Sequence, residues 1–248
     1  MKKNDISRMV TNTARIIRQL EDLGIRVEIG ADFTEYAAHR RGDISRAPIY
    51  PMFDPATSFI DETNGLWICG FDAENKIVHT QAGIVHQFGE KSLMDHLRVH
   101  RQKYITPGTT PDPEATFFHG HPEFENIKGR VSYTGDFWLA AKGLGGARNQ
   151  SATILLSRLF LEIITRTFEL DHIFSFIPTQ LAVRGLHMRY GFSRCEKGRW
   201  IGPDQQITEE EYIGWMNEDD FRVTLAEEVG PLVASPRSLN EVLLREIK

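Results

Sequence analysis

This chain has little cysteine, no long apolar run and no excess of basic residues. Its 248 residues include two cysteines, Cys69 and Cys195, and both lie in strand-like runs. Buried thiols of this kind are typical of a reducing compartment rather than of a disulfide-rich secreted domain. The first residues, MKKNDISRMV, lack the apolar segment of a signal peptide, and no apolar run is long enough to span a membrane. We therefore expect a cytoplasmic protein with no membrane partner.

The charge balance argues against a nucleic-acid partner. The chain has 29 basic and 34 acidic residues, which gives a net charge of -5 at pH 7. No basic run stands out that could neutralise a phosphate backbone. The content of hydrophobic residues, 41%, and of charged residues, 25%, is ordinary for a globular protein with a sizeable core. No internal repeat or low-complexity tract is present.

The chain does contain one stretch with a clear order of elements, from Val131 to Phe192. Tyr133 to Ala141 is rich in aromatic and small apolar residues, which is typical of a largely buried strand. From Ala152 to Phe168, apolar residues recur at helical spacing among arginine and glutamate. His172 to Ile177 predicts a second buried strand, which Pro178 ends, and a second helix follows.

A glycine-rich turn, KGLGGARN, lies between the first strand and the first helix of this stretch. Gly143, Gly145 and Gly146 lack Cβ atoms, so the backbone can turn sharply and approach a ligand. The first amides of the following helix carry the positive end of its dipole, which suits a phosphate. A tight turn without a ligand is the alternative. The dinucleotide fingerprint fails because Arg148 replaces a small residue, and the P-loop fails because no Lys-Ser/Thr pair follows.

The turn resembles instead the acyl-CoA-binding loop of the GNAT superfamily of N-acyltransferases. That loop reads Gln/Arg-x-x-Gly-x-Gly/Ala, and this chain has Lys142, Gly145 and Ala147 at those three places. Lysine departs from the family pattern but keeps a cation beside the phosphates.

The segment that ends in Tyr-Gly-Phe is similar to the family's next motif, N-x-x-A-x-x-x-Y-x-x-x-G-F. Aligned on the Gly-Phe pair, the chain has Gln180 at the Asn, Val183 at the Ala and His187 at the Tyr. The two motifs together cover residues 131 to about 201, which is under a third of the chain.

This resemblance implies an α+β fold, an α/β three-layer arrangement. Its mixed, mostly antiparallel central sheet, with splayed central strands, would be flanked by helices. The chain would be a single domain, 1–248, with the acyl-CoA-binding core at 131–201. Residues 1–130 would supply helices, a hairpin and substrate loops, and residues 202–248 would form a C-terminal helical extension.

The resemblance also implies an enzyme that transfers an acyl group, with acetyl expected, from acetyl-CoA to a small-molecule amine in a ternary complex. His187 takes the place of the family's acid, and Tyr190, one helical turn away, is a second candidate. For the base, Asp136 at the start of the CoA-binding strand comes first and Glu125 second, and a water chain could replace both. A non-catalytic CoA-binding protein is the alternative, because three motif positions depart from the family. A homodimer is the assembly to test.

The acyl-CoA contacts implied by the resemblance come from the end of the strand, the glycine turn and the second helix. Pantetheine would pair with the strand, and the pyrophosphate would lie on amides of the turn. The residues concerned are Trp138, Leu139, Ala140, Lys142, Gly143, Leu144, Gly145, Gly146, Ala147, Arg148, Asn149 and Gln180.

Nine histidines raise the question of a metal site. His119 and His121, with Glu123 or Glu125, could supply ligands to zinc, and a metal-dependent hydrolase would use this HGHPE loop. A second pair of histidines, in HLRVH, lies one helical turn apart but lacks the glutamate of the HExxH motif. Neither group completes a ligand set, so we expect no metal.

The remaining elements follow from periodicity and from helix-capping signals. The patterns predict helices at 4–23, 33–41 and 91–104, a strand at 25–29 and a hairpin of 65–71 and 77–88. Residues 105–129 would form a long irregular connection. Two short strands would follow around Lys197-Gly198. A capping box of Thr208 and Glu211 predicts a helix to Met216, and a second box predicts a helix from Ser238.

Overall fold

A computed structural model describes residues 3–41, 48–104, 112, 114–140 and 150–230. The helices are α1 Lys3–Asp22, α2 Phe33–Arg41, α3 Leu93–His100, α4 Gln150–Phe168, α5 Thr179–Ala182, α6 Leu186–Arg189 and α7 Glu218–Ala226. The strands are β1 Arg26–Gly30, β2 Gly65–Phe71, β3 Ile77–Gly89, β4 Phe117–His119, β5 Gly129–Leu139, β6 His172–Pro178, β7 Arg194–Ile201 and β8 Ile207–Asn217.

In the described residues the strands form one eight-stranded sheet in the order β1-β2-β3-β5-β6-β8-β7-β4. Every neighbouring pair is antiparallel except β5 and β6, which are parallel. Helices cover both faces, because alternate residues of the central strands enter two separate cores. Trp67 and Cys69 of β2 pack on the side of α2 and α3, whereas Leu66 and Ile68 pack on the side of α1 and α4. The predicted fold class is confirmed.

The two central strands separate after a short common stretch. β5 pairs with β6 only where Val131–Tyr133 faces His172–Phe174. Beyond that point β5 stays paired with β3 and β6 stays paired with β8, so a gap opens between them. A register shift opposite Thr80 and Ala82 places an extra residue in β5, and Asp136 there has a left-handed backbone, φ 51°. Such a bulge bends its strand, and the predicted splay is confirmed.

The helix predicted from Thr208 to Met216 is wrong. This segment is β8, which lies between β6 and β7 in the sheet. Ile213 and Trp215 alternate into one core, and the Thr208 hydroxyl bonds to the Trp200 carbonyl across the hairpin instead of capping a helix. The C-terminal extension that was expected to be helical from residue 202 therefore begins with a strand, β8. The helix α7 follows this strand.

Other expectations need smaller corrections. The two short strands around Lys197-Gly198 are one continuous strand, β7, and the single helix after β6 is two short helices, α5 and α6. The irregular connection contains β4. The first three predicted helices, the strand at 25–29 and the hairpin of β2 and β3 are confirmed. The helix predicted from Ser238 lies outside the described residues.

Among the helices that the structure describes, none combines the length and apolarity needed to cross a membrane.

Candidate active site

A cleft of about 390 Å³ opens where β5 and β6 separate. Its walls come from the bulge of β5, the end of β6, the short helices that follow β6, and β8. Aromatic residues are the largest group in the lining, and acidic groups lie among the rings. The residues that supply rings, hydroxyls and carboxylates are Tyr50, Tyr104, Tyr133, Asp136, Phe137, Trp138, Ser175, Phe176, Tyr190, Glu209 and Glu211.

Asp136, the first sequence candidate for the base, holds the bulge of β5 against α2. Its Oδ2 accepts hydrogen bonds from the Tyr36 hydroxyl and the Arg40 Nε, each at 2.5 Å. The Arg40 and Asp136 side chains are 3% and 4% exposed, so the ion pair is almost fully buried. Burial first, and then the Asp136 charge, raises the pKa of Tyr36 well above 10, so this phenol remains a donor. Removing one partner from such a pair would leave an uncompensated buried charge.

Glu211 on β8 is the cleft carboxylate that sequence reasoning missed. It is 7% exposed, and its Oε2 accepts a hydrogen bond of 2.8 Å from Trp200 Nε1. Burial raises the pKa of Glu211 to about 7, against the lowering effect of the Trp200 bond and with a further contribution from Glu209. A carboxyl group with this pKa exchanges protons readily near neutral pH. The signal in the sequence was the spacing of two residues from Glu211 to Ile213 and from Ile213 to Trp215. In a strand, this spacing places all three side chains on the same face, where they are buried.

The two sequence candidates for the acid lie in different places. Tyr190 lines the cleft, and its ring centroid lies 4.7 Å from that of Phe137. Burial raises the pKa of Tyr190, so its hydroxyl keeps its proton at neutral pH. His187 lies on α6 and is not among the cleft residues; its Nδ1 is buried with no hydrogen-bond partner among the described residues.

The residues expected to bind acyl-CoA are described in part. Trp138 lines the cleft, and its carbonyl lies 2.8 Å from His79 Nδ1. Leu139 is half-buried at the end of β5, and the Ala140 amide extends the pairing with β3 by donating to Val78. Gln180 is exposed on α5. The eight residues from Lys142 to Asn149 lie outside the described residues, and α4 begins at the next residue.

A smaller cavity of about 30 Å³ lies between the strand gap and α4. It shares Gly135, Phe137, Ser175 and Tyr190 with the cleft, so the two spaces meet at the gap. Its far wall is apolar, formed by Phe160, Leu161, Ile164, Ile173 and Met216. The hydroxyl of Ser157 and the Oε1 of Gln81 also line this cavity, and within the described part of the chain neither has a hydrogen-bond partner. By size, a cavity of this kind holds about two waters or one small group.

The histidines that were considered as possible metal ligands make other contacts. His121 Nδ1 accepts from the Glu123 amide at the start of a 3₁₀ turn, and His96 Nε2 contacts the Tyr104 hydroxyl. Across the described ranges, no group of three or more His, Cys, Asp or Glu side chains could hold a metal ion.

Comparisons with known proteins give distant structural matches. The sequence matches no protein-family model, and no curated protein matches it. A spermidine N-acetyltransferase SpeG chimera from Vibrio cholerae and hSSAT is 7% identical, with a TM-score of 0.41 over 80% of this chain and 98% of that chain. Aminoglycoside acetyltransferase AAC(6')-Ib with coenzyme A and kanamycin is 12% identical, with a TM-score of 0.40 over 81% and 98%. FeeM, an N-acyl amino acid synthase from uncultured soil microbes, is 14% identical, with a TM-score of 0.39 over 80% and 95%. These matches are too distant to carry an argument about this chain.

Proposed function

We propose that this chain is an acyl-CoA-dependent N-acyltransferase of the GNAT superfamily that transfers an acetyl group to a small-molecule amine. The observation that carries the proposal is the cleft between the diverging strands β5 and β6. A buried carboxyl group with a pKa near 7, Glu211, and a half-buried phenol, Tyr190, both line it. Direct acyl transfer to an amine needs such a pair, one group to take a proton and one to give a proton.

The exposed edge of β5 supports binding of the pantetheine arm. Within the described residues, no strand pairs with the β6-facing edge of β5 beyond Tyr133. An unpaired strand edge presents N–H and C=O groups that an extended ligand with amide groups can pair with. The pyrophosphate would then reach the glycine turn and the N-terminus of α4, where helix amides favour an anion. Acetyl-CoA is the co-substrate that this arrangement suits.

Glu211 and Tyr190 are assigned the two proton transfers. The Glu211 carboxylate takes a proton from the ammonium group of the acceptor, and the freed amine attacks the thioester carbonyl. The carbon–sulfur bond then breaks, and the leaving thiolate takes a proton from the Tyr190 hydroxyl. The second proton of the attacking nitrogen passes to the Tyr190 oxygen, which leaves a neutral amide and restores the phenol. Asp136, already bonded by Arg40 and Tyr36, orders the bulge that shapes the cleft. His187 remains the alternative acid.

The size of the cavity behind the gap supports acetyl as the transferred group. About 30 Å³ bounded by Phe160 and Ile164 accommodates a methyl group and excludes a long chain. The cleft in front of the gap is more than ten times larger, about 390 Å³, and has room for the acceptor.

The test combines binding with turnover. Isothermal titration should detect acetyl-CoA binding to the folded protein, and an amine panel should show release of free thiol. Tyr190→Phe should keep acetyl-CoA binding and lower thiol release, with His187→Gln as the matched comparison that discriminates the two acids. Absence of acetyl-CoA binding would overturn the proposal. Binding without thiol release from any amine would favour a non-catalytic CoA-binding protein.

A further inference from the structure

A row of three histidines and one tyrosine runs from the candidate cleft to the surface. His86 lies on β3, His96 and His100 lie on α3, and Tyr104 follows α3. The ring centroids of His86 and His96 are 4.6 Å apart, and those of His96 and His100 are 4.7 Å apart. Tyr104 is 2% exposed, whereas His96 is half-buried and His100 is exposed. The row therefore joins a buried residue of the cleft to solvent.

Tyr104 faces the cleft and the histidines at the same time. Its side chain lines the cleft, and its hydroxyl lies 2.7 Å from His96 Nε2 and 3.3 Å from His86 Nε2. A phenol has one proton, so it donates to one imidazole and accepts from the N–H of the other. His86 and His96 then carry their protons on different ring nitrogens. Passage of a proton through the hydroxyl exchanges these two roles.

The groups around the row keep its histidines neutral. Burial lowers the pKa of His86 to about 4 and the pKa of His96 to about 2, and neighbouring histidines and Lys103 add to both effects. Burial and Lys103 also lower the pKa of His100. A neutral imidazole has one N–H and one bare nitrogen, so it can accept a proton on one side and release one on the other. Lys103 disfavours a positive charge on the row, so a transfer through it has to be concerted, with each imidazole releasing one proton as it accepts another.

The proposed reaction needs an exit for one proton in each turnover. The acceptor nitrogen starts with three protons as an ammonium group and ends with one in the amide, while it forms the C–N bond and the C–S bond breaks. One of the two released protons stays on the thiol, and the other must leave Glu211 before the next turnover. Tyr133 packs against the row in the cleft that Glu211 also lines: its ring centroid is 4.9 Å from that of Tyr104. Burial raises the pKa of Tyr133, and the charges of Tyr50 and Glu211 add to this effect, so its hydroxyl keeps its proton at neutral pH.

We propose that the row of His86, His96, His100 and Tyr104 is a proton relay that carries the proton released in the cleft to solvent, an inference that rests on the proposed acyl transfer. The three histidines are positioning residues, because they act through Tyr104 and contact no reacting atom.

The kinetic test uses His96→Phe, which keeps a ring in the stack with Phe88, 4.5 Å away between centroids, but cannot pass a proton. We expect kcat to fall by about ten- to hundredfold, which is the lower part of the range for a lost proton transfer. The KM values for acetyl-CoA and amine should stay unchanged, because His96 lies outside the cleft. The solvent isotope effect on kcat should rise, and soluble imidazole should restore part of the rate. Tyr104→Phe should give the same pattern.

The matched control is His39→Phe, since His39 also packs among rings, 5.8 Å from Trp67 and 5.4 Å from Phe71, but lies outside the row. It should leave kcat and the isotope effect unchanged. Two results would overturn the relay: an unchanged kcat in His96→Phe, or a loss that comes without a larger isotope effect and without rescue by imidazole.

A second measurement is independent of turnover and separates failure of the relay from failure of the proposed function. Nitrogen NMR of the histidine rings should show His86 and His96 neutral at pH 7, with the proton on Nε2 in one and on Nδ1 in the other. Tyr104→Phe should remove that difference. If the unmodified protein releases no thiol, the proposed function fails; if both rings share one tautomer, or either is charged, the relay fails.

Discussion

The two faces of the central sheet are covered by different kinds of side chain. On one side, which we term the aliphatic face, α1 and α4 bury mainly leucine and isoleucine, including Leu20, Leu156, Leu159 and Ile173. On the other side, the aromatic face, the core contains Tyr36, Trp67, Tyr104, Tyr133, Phe174, Trp200 and Trp215. Aliphatic side chains stabilise the fold through burial alone. Tyrosine and tryptophan bury a comparable area and also carry a hydrogen-bonding group.

Three sets of polar contacts in the candidate site accordingly lie on the aromatic face, whereas the ring of Tyr190 packs against the aliphatic face. Tyr36 donates to Asp136, and Trp200 donates to Glu211. The Tyr104 hydroxyl contacts two imidazoles. A face built from rings can therefore be well packed and still hold carboxylates and proton donors in fixed positions. Apart from Tyr190, we expect changes on the aliphatic face to alter stability and changes on the aromatic face to alter chemistry.

The largest effect is expected from Glu211→Gln. This change keeps the shape of the side chain and an acceptor for Trp200, but the amide cannot take a proton from the acceptor amine. We expect kcat/KM for thiol release to fall by about 10²- to 10⁴-fold. The control is Glu209→Gln, which alters the other carboxylate of β8 that lines the cleft and should keep most of the activity. Equal activity of the Glu211 variant and the unmodified protein would remove Glu211 as the base.

Leu159→Ala tests the aliphatic face. Leu159 is fully buried on α4, and its truncation should lower the free energy of unfolding by about 2–5 kcal/mol. Urea denaturation measures this loss, while the rate of thiol release per folded molecule should stay unchanged. Ile154→Ala on the same helix is the control, because Ile154 is half exposed and should cost much less. A large loss of kcat in folded Leu159→Ala would show that packing on the aliphatic face also controls the catalytic rate.

Much of the fold could be predicted because its signals are local. The helical period of α4, the buried run of β6 and the turn between β2 and β3 each depend on residues close in sequence. β8 could not be predicted in this way. A Thr-x-x-Glu spacing imitates a helix cap, and the strand is decided by pairing with β6 and β7, which no local pattern encodes.

The candidate site likewise contains residues that could be predicted from the local sequence and one residue that could not. Asp136 and Trp138 were named from their place in the predicted strand, and Tyr190 was named because it lies one helical turn from the motif position of His187. All three line the cleft. Glu211 was missed because its properties come from burial and from Trp200, across the hairpin of β7 and β8. The glycine turn, on which the acyl-CoA expectation depends, stays a prediction.

Phe160→Leu tests the comparison of the two faces at the gap between β5 and β6, where the small cavity of the aliphatic face meets the cleft. Phe160 belongs to the aliphatic face but bounds the small cavity that meets the cleft, so a smaller side chain should admit a longer acyl group. We expect the ratio of kcat/KM for propionyl-CoA over acetyl-CoA to rise by about tenfold, the effect of one methylene group in an apolar pocket. Phe168→Leu, on the same helix but outside the cavity, should leave the ratio unchanged. An unchanged ratio in Phe160→Leu would show that the acyl group does not enter this cavity.

The last prediction concerns stability and pH at Glu211. Its pKa is 4.5 in the reference state and about 7 when folded, so between these values the folded protein binds more protons than the unfolded chain. The contribution of Glu211 to stability is therefore fully present below pH 4.5 and is lost as the pH rises through about 7. The slope is at most about 1.4 kcal/mol per pH unit. Urea denaturation across this range measures the free energy of unfolding of the unmodified protein and of Glu211→Gln. The value for the unmodified protein minus that for the variant should fall as the pH rises.

The same substitution at Glu196, exposed on β7, is the matched control for that series and should keep the pH dependence of the unmodified protein. A constant difference between the unmodified protein and Glu211→Gln would mean that the carboxyl group titrates alike in the folded and unfolded chains. It would then lack the burial among rings that sets its pKa near 7, and the aromatic face would hold an ordinary surface carboxylate. The base of the proposed reaction would have to be sought again, because a carboxylate with the reference pKa of 4.5 has little affinity for the proton of an amine near neutral pH.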